Sequence, residues 1–415
     1  MTERDRVVSA LDGVTLGERV AELRRRRGLS QKDLAAELGR SESWVSQVER
    51  DVLPVERVSV LQALADALGA AANDLQPGVP GQADSPSQSA PELAGLRLAM
   101  TGHPALSTLL ETAPPADQQL GPLRQAVAAA WRLTHASEFS ALTTLLVPLL
   151  GNLEQVARVG RGRQRSEAAG LLTSAYQAAS AAFARQDEAD ASWLGADRAS
   201  RWAEDAGDPL AVVAAAFRMG HAFITLRRLD QAEHVANQAI RALQPSTSAE
   251  DCPPEVLSLY GAMHLILAVV FAREGDRAGT RRTIAKARKI AARVGTDRND
   301  YNTEFGPTNV ELHAVSTAVD LGDAGEAIDL SRTIDATGLS AERQSRLAID
   351  LARAHVQRRH IGDAVAALLE AERQAPEQVQ THVLARETVR DLLSLAGRRA
   401  TPELLNLARR IGAAN

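Results

Sequence analysis

The chain has 415 residues, 45% of them hydrophobic, and a formal net charge of −5, which is length for two or three domains and too much apolar content for a disordered chain. Only 3% of the residues are aromatic while alanine and leucine abound, so helix packed on helix is expected, an all-α protein, rather than a β-sandwich. The single cysteine, Cys252, excludes an internal disulfide or a cysteine metal cage; the start MTERDRVVSALDG lacks an apolar leader core, and no run of about 18 uncharged apolar residues suggests a membrane span. A cytoplasmic chain with no membrane partner is expected.

In chain order, LGERVAELRRRR carries Leu16, Val20 and Leu23 at helical spacing and stops at Gly28. Ser30 is placed to cap a helix of about two turns, QKDLAAEL, with Asp33 in a capping-box position and Gly39 closing it. Ser41 opens ESWVSQVER, which buries Val45 and Val48, and ERVSVLQALADALG sets Val58, Leu61, Leu64, Ala65 and Leu68 on one stripe. Short helices around a glycine turn predict a helix-turn-helix bundle over residues 1–76. The Pro- and Ser-rich run 77–91, PGVPGQADSPSQSAP, reads as a flexible linker, and residues 92–415 as a second, larger domain.

The run GLSQKDLAAELGRSESWVSQVERD resembles the signature of the Cro/C1-type repressors, the xenobiotic-response-element family, over roughly residues 14–76. The resemblance implies a transcriptional regulator whose third helix lies in a DNA major groove, with Glu42, Ser43, Ser46 and Gln47 as the reading face. Gln47 suits adenine and Glu42 a cytosine amino group. Gln31 and Lys32 match the family's phosphate clamp, Arg40 and Arg50 flank the reading helix, and Trp44 either packs along a sugar–phosphate strand or is structural. Arg24 to Arg27 form either a solvated helix end or a DNA contact. Glu49 reads as an intradomain partner, since an acid facing phosphate would repel it. Residues 1–76 hold 11 Lys+Arg against 13 Asp+Glu, a poor footprint for non-specific binding, so a homodimer on two half-sites is expected.

Beyond residue 92, helix follows helix. Gly322-Asp323-Ala324 echoes Gly362-Asp363-Ala364, with weaker echoes at Arg228-Leu229-Asp230, Glu274-Gly275-Asp276 and Arg185-Gln186-Asp187. Such hairpins cannot bury their apolar faces alone and stack into a superhelix with a concave surface. The region resembles the tetratricopeptide-like sensor domains behind bacterial helix-turn-helix domains, a resemblance that implies a right-handed superhelix. The pairing of SESWVSQVER with Phe305-Gly306-Pro307-Thr308-Asn309-Val310 and Leu312-His313 is similar to a group of actinobacterial regulators. In related regulators the concave face holds a signal peptide or small molecule; the polar residues set among apolar helix faces here are Arg218, His221, His264, Asn302, Asn309 and His313. The irregular polar segment Asp297 to Asn309 stands out as a functional loop.

An enzyme is not expected: phosphate loops, dinucleotide fingerprints, nucleophile elbows and the H-E-x-x-H zinc motif are all missing from the sequence. No cofactor is called for. His355 and His360, five apart, fall on different faces of a helix with no third ligand near in sequence, so no metal is expected. The competing expectation to a ligand-responsive, nucleoid-associated regulator is a protein-docking adaptor that its DNA-binding domain merely localises.

Overall fold

A computed structural model describes residues 15–53, 55, 58–70, 75, 91–102, 120–249 and 251–413. Helices dominate them, and β pairing is limited to one isolated bridge, Arg298 to Phe305. The expected linker at 77–91 lies, but for Pro91, outside the described residues.

Four short helices make the first bundle: α1 (Leu16–Arg26), α2 (Gln31–Glu37), α3 (Glu42–Glu49) and α4 (Val58–Leu68). Their starts are set locally. Thr15 and Glu18 form one capping box, Ser30 and Asp33 a second, and the Ser41 hydroxyl accepts from the Trp44 N–H, each contributing about 1 kcal/mol. Gly28 and Gly39 take left-handed backbone in the turns. Val20, Leu34, Val45, Val48 and Leu64 are fully buried between the helices, and burial of such side chains stabilises by about 1.5–3 kcal/mol each.

After α5 (Ala94–Thr101) the chain builds antiparallel hairpins: α6 (Leu120–Ala136) with α7 (Phe139–Val159), α8 (Gly162–Arg185) with α9 (Ala189–Ala206), and α10 (Pro209–Thr225) with α11 (Leu229–Thr247). Three more follow: α12 (Pro254–Arg273) with α13 (Arg277–Val294), α14 (Pro307–Asp320) with α15 (Ala324–Ser331), and α16 (Ala341–Gln357) with α17 (Ile361–Gln374). Helices α18 (Pro376–Thr381), α19 (Val383–Ala396) and α20 (Pro402–Arg410) finish the stack. Small residues set the close spacing. Ala168, Ala175, Ala179 and Ala182 of α8 and Ala196, Ala199 and Ala203 of α9 are all without exposure, and a Cβ at Gly195 of α9 would lie 3.0 Å from Ser180 of α8.

Each of the six hairpins turns through one residue of positive φ: Ser137, Asp187, Arg227, Gly275, Gly322 and Arg359. The sequence echo between Gly322 and Gly362 is therefore out of register. Gly362 lies in the first turn of α17, and Arg359 is the structural counterpart of Gly322.

Helix α12 corrects a second expectation, since it is long and apolar enough to cross a membrane. It is instead the central helix of the stack, buried on nearly every face by its neighbours, with Leu259, Met263, Ala268 and Val270 fully enclosed. Packing on all sides removes the polar stripe that a surface helix would show.

The stack closes on itself. The Ser137 hydroxyl donates to Gln378 Oε1 at 2.7 Å, Glu377 accepts from the Ser140 N–H at 3.0 Å, and Thr381 bonds Gln186. Helix α18, beyond the sixth hairpin, thus meets the turns of the first two.

Candidate nucleic-acid interface

Gly17 brings α1 against α3, because a Cβ there would collide with the Val48 carbonyl. Asp51, in left-handed backbone just past α3, accepts from the Gly17 N–H at 2.8 Å and from the Thr15 hydroxyl. Glu49 then ties the bundle together. It takes both Arg24 (Nη2 at 2.9 Å) and Gln31 (Nε2 at 2.7 Å), while Arg24 Nη1 reaches the Leu29 carbonyl at 2.7 Å. Burial alone would raise the Glu49 pKa, but the Arg24 and Gln31 hydrogen bonds outweigh it and hold the carboxyl below its ordinary range. The structural reading of Glu49 follows from this geometry.

That network corrects Gln31, whose side-chain amide is engaged inside the domain rather than free for a phosphate. It also divides the arginine quartet. Arg24 is an internal partner, Arg25 and Arg26 pair with Glu22 along the helix, and Arg27 bonds the Ala67 carbonyl. Lys32 is exposed at the start of α2.

On α3, Glu42 and Ser43 face solvent, Ser46 is half-buried and Arg50 is exposed, its Nε on the Ser46 carbonyl at 3.1 Å. Gln47 differs from the expectation of an open reading face, and Trp44 takes the structural one of its two expected places. Gln47 is 6% exposed and Trp44 4%. Their outer sides meet the hairpin region, where a Cβ at Gly322 would collide with the Gln47 amide and one at Gly275 with the Trp44 indole. Arg40 lies over the Trp44 ring, 5.7 Å from its centroid. The side-chain chemistry on α3 was readable from the sequence; its cover, contributed from more than 200 residues away, was not.

Five of the six residues expected to face a ligand converge inside the closed stack. Arg218 on α10 is buried, bonds the Asn302 carbonyl, and lies over the rings of Trp131 at 5.0 Å and Phe217 at 5.1 Å. Burial first, then repulsion from Arg185 and Arg343, pulls its pKa down to about 9. His221 meets Phe217 edge-on at 4.6 Å. Asn309 donates to the Glu304 carbonyl, and His313 Nδ1 lies 2.9 Å from the Asn309 carbonyl. Around them stand groups that no motif announced: His135 and Arg343 on the Glu304 carboxylate at 3.3 and 3.2 Å, and Arg185 on Glu342 at 3.4 Å.

The loop before α14 makes this convergence possible, because positive φ at Tyr301, Asn302 and Glu304 turns its polar groups inward. His264 stands apart, edge-on to Tyr260 at 4.8 Å.

Burial lowers the pKa of His264 to about 4, with Lys286 adding repulsion; it lowers His313 to about 4 and His382 to about 3, with nearby arginines reinforcing both. These imidazoles stay neutral in the fold while the unfolded chain protonates below about pH 6.5. Stability is therefore full above pH 6.5 and declines as pH falls toward 4. For His264 the loss by pH 5 is about 2 kcal/mol. Urea unfolding at pH 7 and pH 5 should show a smaller drop for His264→Leu than for the native chain, and an equal drop would contradict this assignment.

His355 and His360 do not share a helix. The left-handed turn at Arg359 ends α16 and folds His360 back to cap α17, leaving the rings 5.8 Å apart. Asp363, three residues on, joins them with all ligand atoms within 4.8 Å, which corrects the expectation of no third ligand nearby. His360 and Asp363 are exposed polar groups at a turn.

Residues 15–77 match the family model of a helix-turn-helix domain. A search of curated proteins finds none that matches the chain.

Proposed function

We propose that the chain is a sequence-specific DNA-binding transcriptional regulator, acting in the cytoplasm on the nucleoid as a homodimer. The observation that carries this reading is α3 itself. It is a capped two-turn helix inside a matched helix-turn-helix domain, with Glu42, Ser43 and Ser46 turned away from the core. The near balance of charge in residues 1–76 favours paired half-sites over a single domain bound alone.

The hairpin stack serves in this reading as a tetratricopeptide-like sensor, of the kind in the actinobacterial regulators that the sequence resembles. Its ligand is a peptide or small molecule taken among Arg218, His221, Asn302, Asn309 and His313. Their convergence from α10, the loop before α14 and α14 itself supports that part. A ligand switches the protein only if it prefers one state over another, and stabilisation of the melting transition by synthetic peptides or metabolites tests for it.

Selection of bound duplexes from a random pool by the full chain tests DNA reading. A recurrent half-site, duplicated at a fixed spacing, is the expected result; recovery of unrelated sequences sinks the proposal. On the selected site, Gln47→Ala relaxes the preference at one base position by about 1–3 kcal/mol, whereas Lys32→Ala weakens all sequences alike. Identical sequence preferences for the two variants would contradict the assigned roles.

A further inference from the structure

We propose that the hairpin turns at Gly275 and Gly322 form a docking surface whose occupant is the reading helix α3 of the same chain, so that the protein holds its own DNA-contacting side chains covered. The proposal rests on the DNA-binding reading above and adds the means by which binding is restrained.

The contact is specific in residue and in position. Trp44 and Gln47 are three apart on α3, hence about 60° apart around the helix and about 4.5 Å apart along it. Each nests on the turn of one hairpin, Trp44 on Gly275 and Gln47 on Gly322, and those two hairpins are consecutive in the stack. Neighbouring packed helices lie about 8–10 Å apart, a span that two long, diverging side chains bridge. Trp44 also packs in the apolar cluster of its own bundle, whereas Gln47 is a polar side chain only 6% exposed.

The glycines carry the second part of the argument. Left-handed backbone usually explains a turn glycine, yet it does not explain these. The same turn in the other four hairpins carries Ser137, Asp187, Arg227 and Arg359, all with positive φ. This fold therefore tolerates a side chain at that position. Glycine occurs at the two turns where any Cβ would strike α3, so close approach accounts for it where φ does not.

Docking and DNA binding exclude each other. A major groove about 12 Å wide accepts one helix, whose own diameter is about 10–12 Å. Gln47 lies on the edge shared by the reading face and the docked face. Any duplex must displace the Gly322 turn before that side chain reaches a base, and the apparent affinity falls by the fraction of molecules that are docked.

The test uses the full chain. Asparagine is well suited to left-handed backbone among residues with side chains, so Gly275→Asn with Gly322→Asn keeps the turns while pushing α3 away. The double variant should bind the selected duplex about tenfold more tightly or better, within the usual range of coupling between sites. Arg359→Asn, the same change at a turn that α3 does not contact, should leave affinity unchanged. Equal affinities for the native chain and the double variant would overturn the proposal.

A second readout needs no DNA. Hydroxyl-radical labelling of the native chain should spare Trp44 relative to Trp193, which is 41% exposed, and the double variant should lose that protection. Labelling of Trp44 as fast in the native chain as in the variant overturns docking. So does protection that vanishes on hundredfold dilution, which would make the occupant a second copy. If the variant fails to fold, labelling of the native chain with and without duplex decides. Bound DNA should expose the residues around Gly275 and Gly322, and unchanged turns would overturn the proposal. A chain that selects no duplex but protects Trp44 would reject the regulator reading while leaving the docking intact.

Discussion

Phe305→Ala will destabilise the hairpin stack by about 3–5 kcal/mol. Phe305 is fully buried and its ring lies against α12 at Gly261, where even a Cβ would overlap it. The cavity left by alanine cannot be filled from α12, since glycine has nothing to move into it. The same ring anchors the loop whose Asn302 and Glu304 bond Arg218 and Arg343. Loss of the anchor therefore loosens buried ion pairs as well as apolar packing. Urea unfolding followed by helical circular dichroism checks this, with Phe305→Leu losing about 1 kcal/mol as the near-isosteric control. A loss under 1 kcal/mol for the alanine variant would show that the loop is not held by its phenylalanine.

Arg353→Met should cost a comparable amount, about 3–5 kcal/mol, through charge rather than volume. Arg353 on α16 donates to Asp320 at 2.7 Å and to Asp350 at 3.0 Å, and Asp350 is almost completely buried. Methionine keeps most of the side-chain volume but takes the nearest cation from both carboxylates, leaving Asp350 with Arg346 at 3.6 Å. The pH dependence then separates this cause from a packing defect. In the native chain, burial alone would raise the Asp320 pKa, but Arg353 holds it below the ordinary value, so its contribution is present above about pH 4 and lost below. In the variant the burial effect is opposed only by Arg273 and Arg346, and Asp320 protonates more readily in the fold. The gap in stability between variant and native chain should narrow as pH falls from 7 toward 4. A gap independent of pH would assign the loss to packing.

Features set by neighbours in sequence were legible in advance. The capping box at Ser30, the Ser41 cap and the turns at Gly28 and Gly39 are local hydrogen-bond and backbone effects, and the spacing of residues shows them directly. The repeat pattern was visible, but its register slipped at Gly362, because glycine marked the turn less faithfully than the left-handed position itself, which Arg359 fills. Helix α12 escaped notice because His264 and Gly261 interrupt its apolar run without making it surface-like.

The interior ion pairs had no signature at all. Arg185, Glu304, Glu342 and Arg343 come from three separated segments and meet only because the stack closes. The burial of Gln47 was hidden for the same reason, since Gly322, which receives it, lies hundreds of residues downstream. Side-chain chemistry identified what those residues are suited to touch, and only tertiary structure showed what they touch in this conformer.

The order of the chain gives the cover on α3 a temporal side. At about 5–20 residues per second, a ribosome needs roughly ten seconds to a minute to travel from the end of the reading domain to the hairpin bearing Gly322. Each newly made molecule therefore passes through a period in which α3 has been made and the turns that cover it have not been synthesised. On the proposed reading, nascent chains expose α3 before its cover exists, and any stall between residues 77 and 322 prolongs that state.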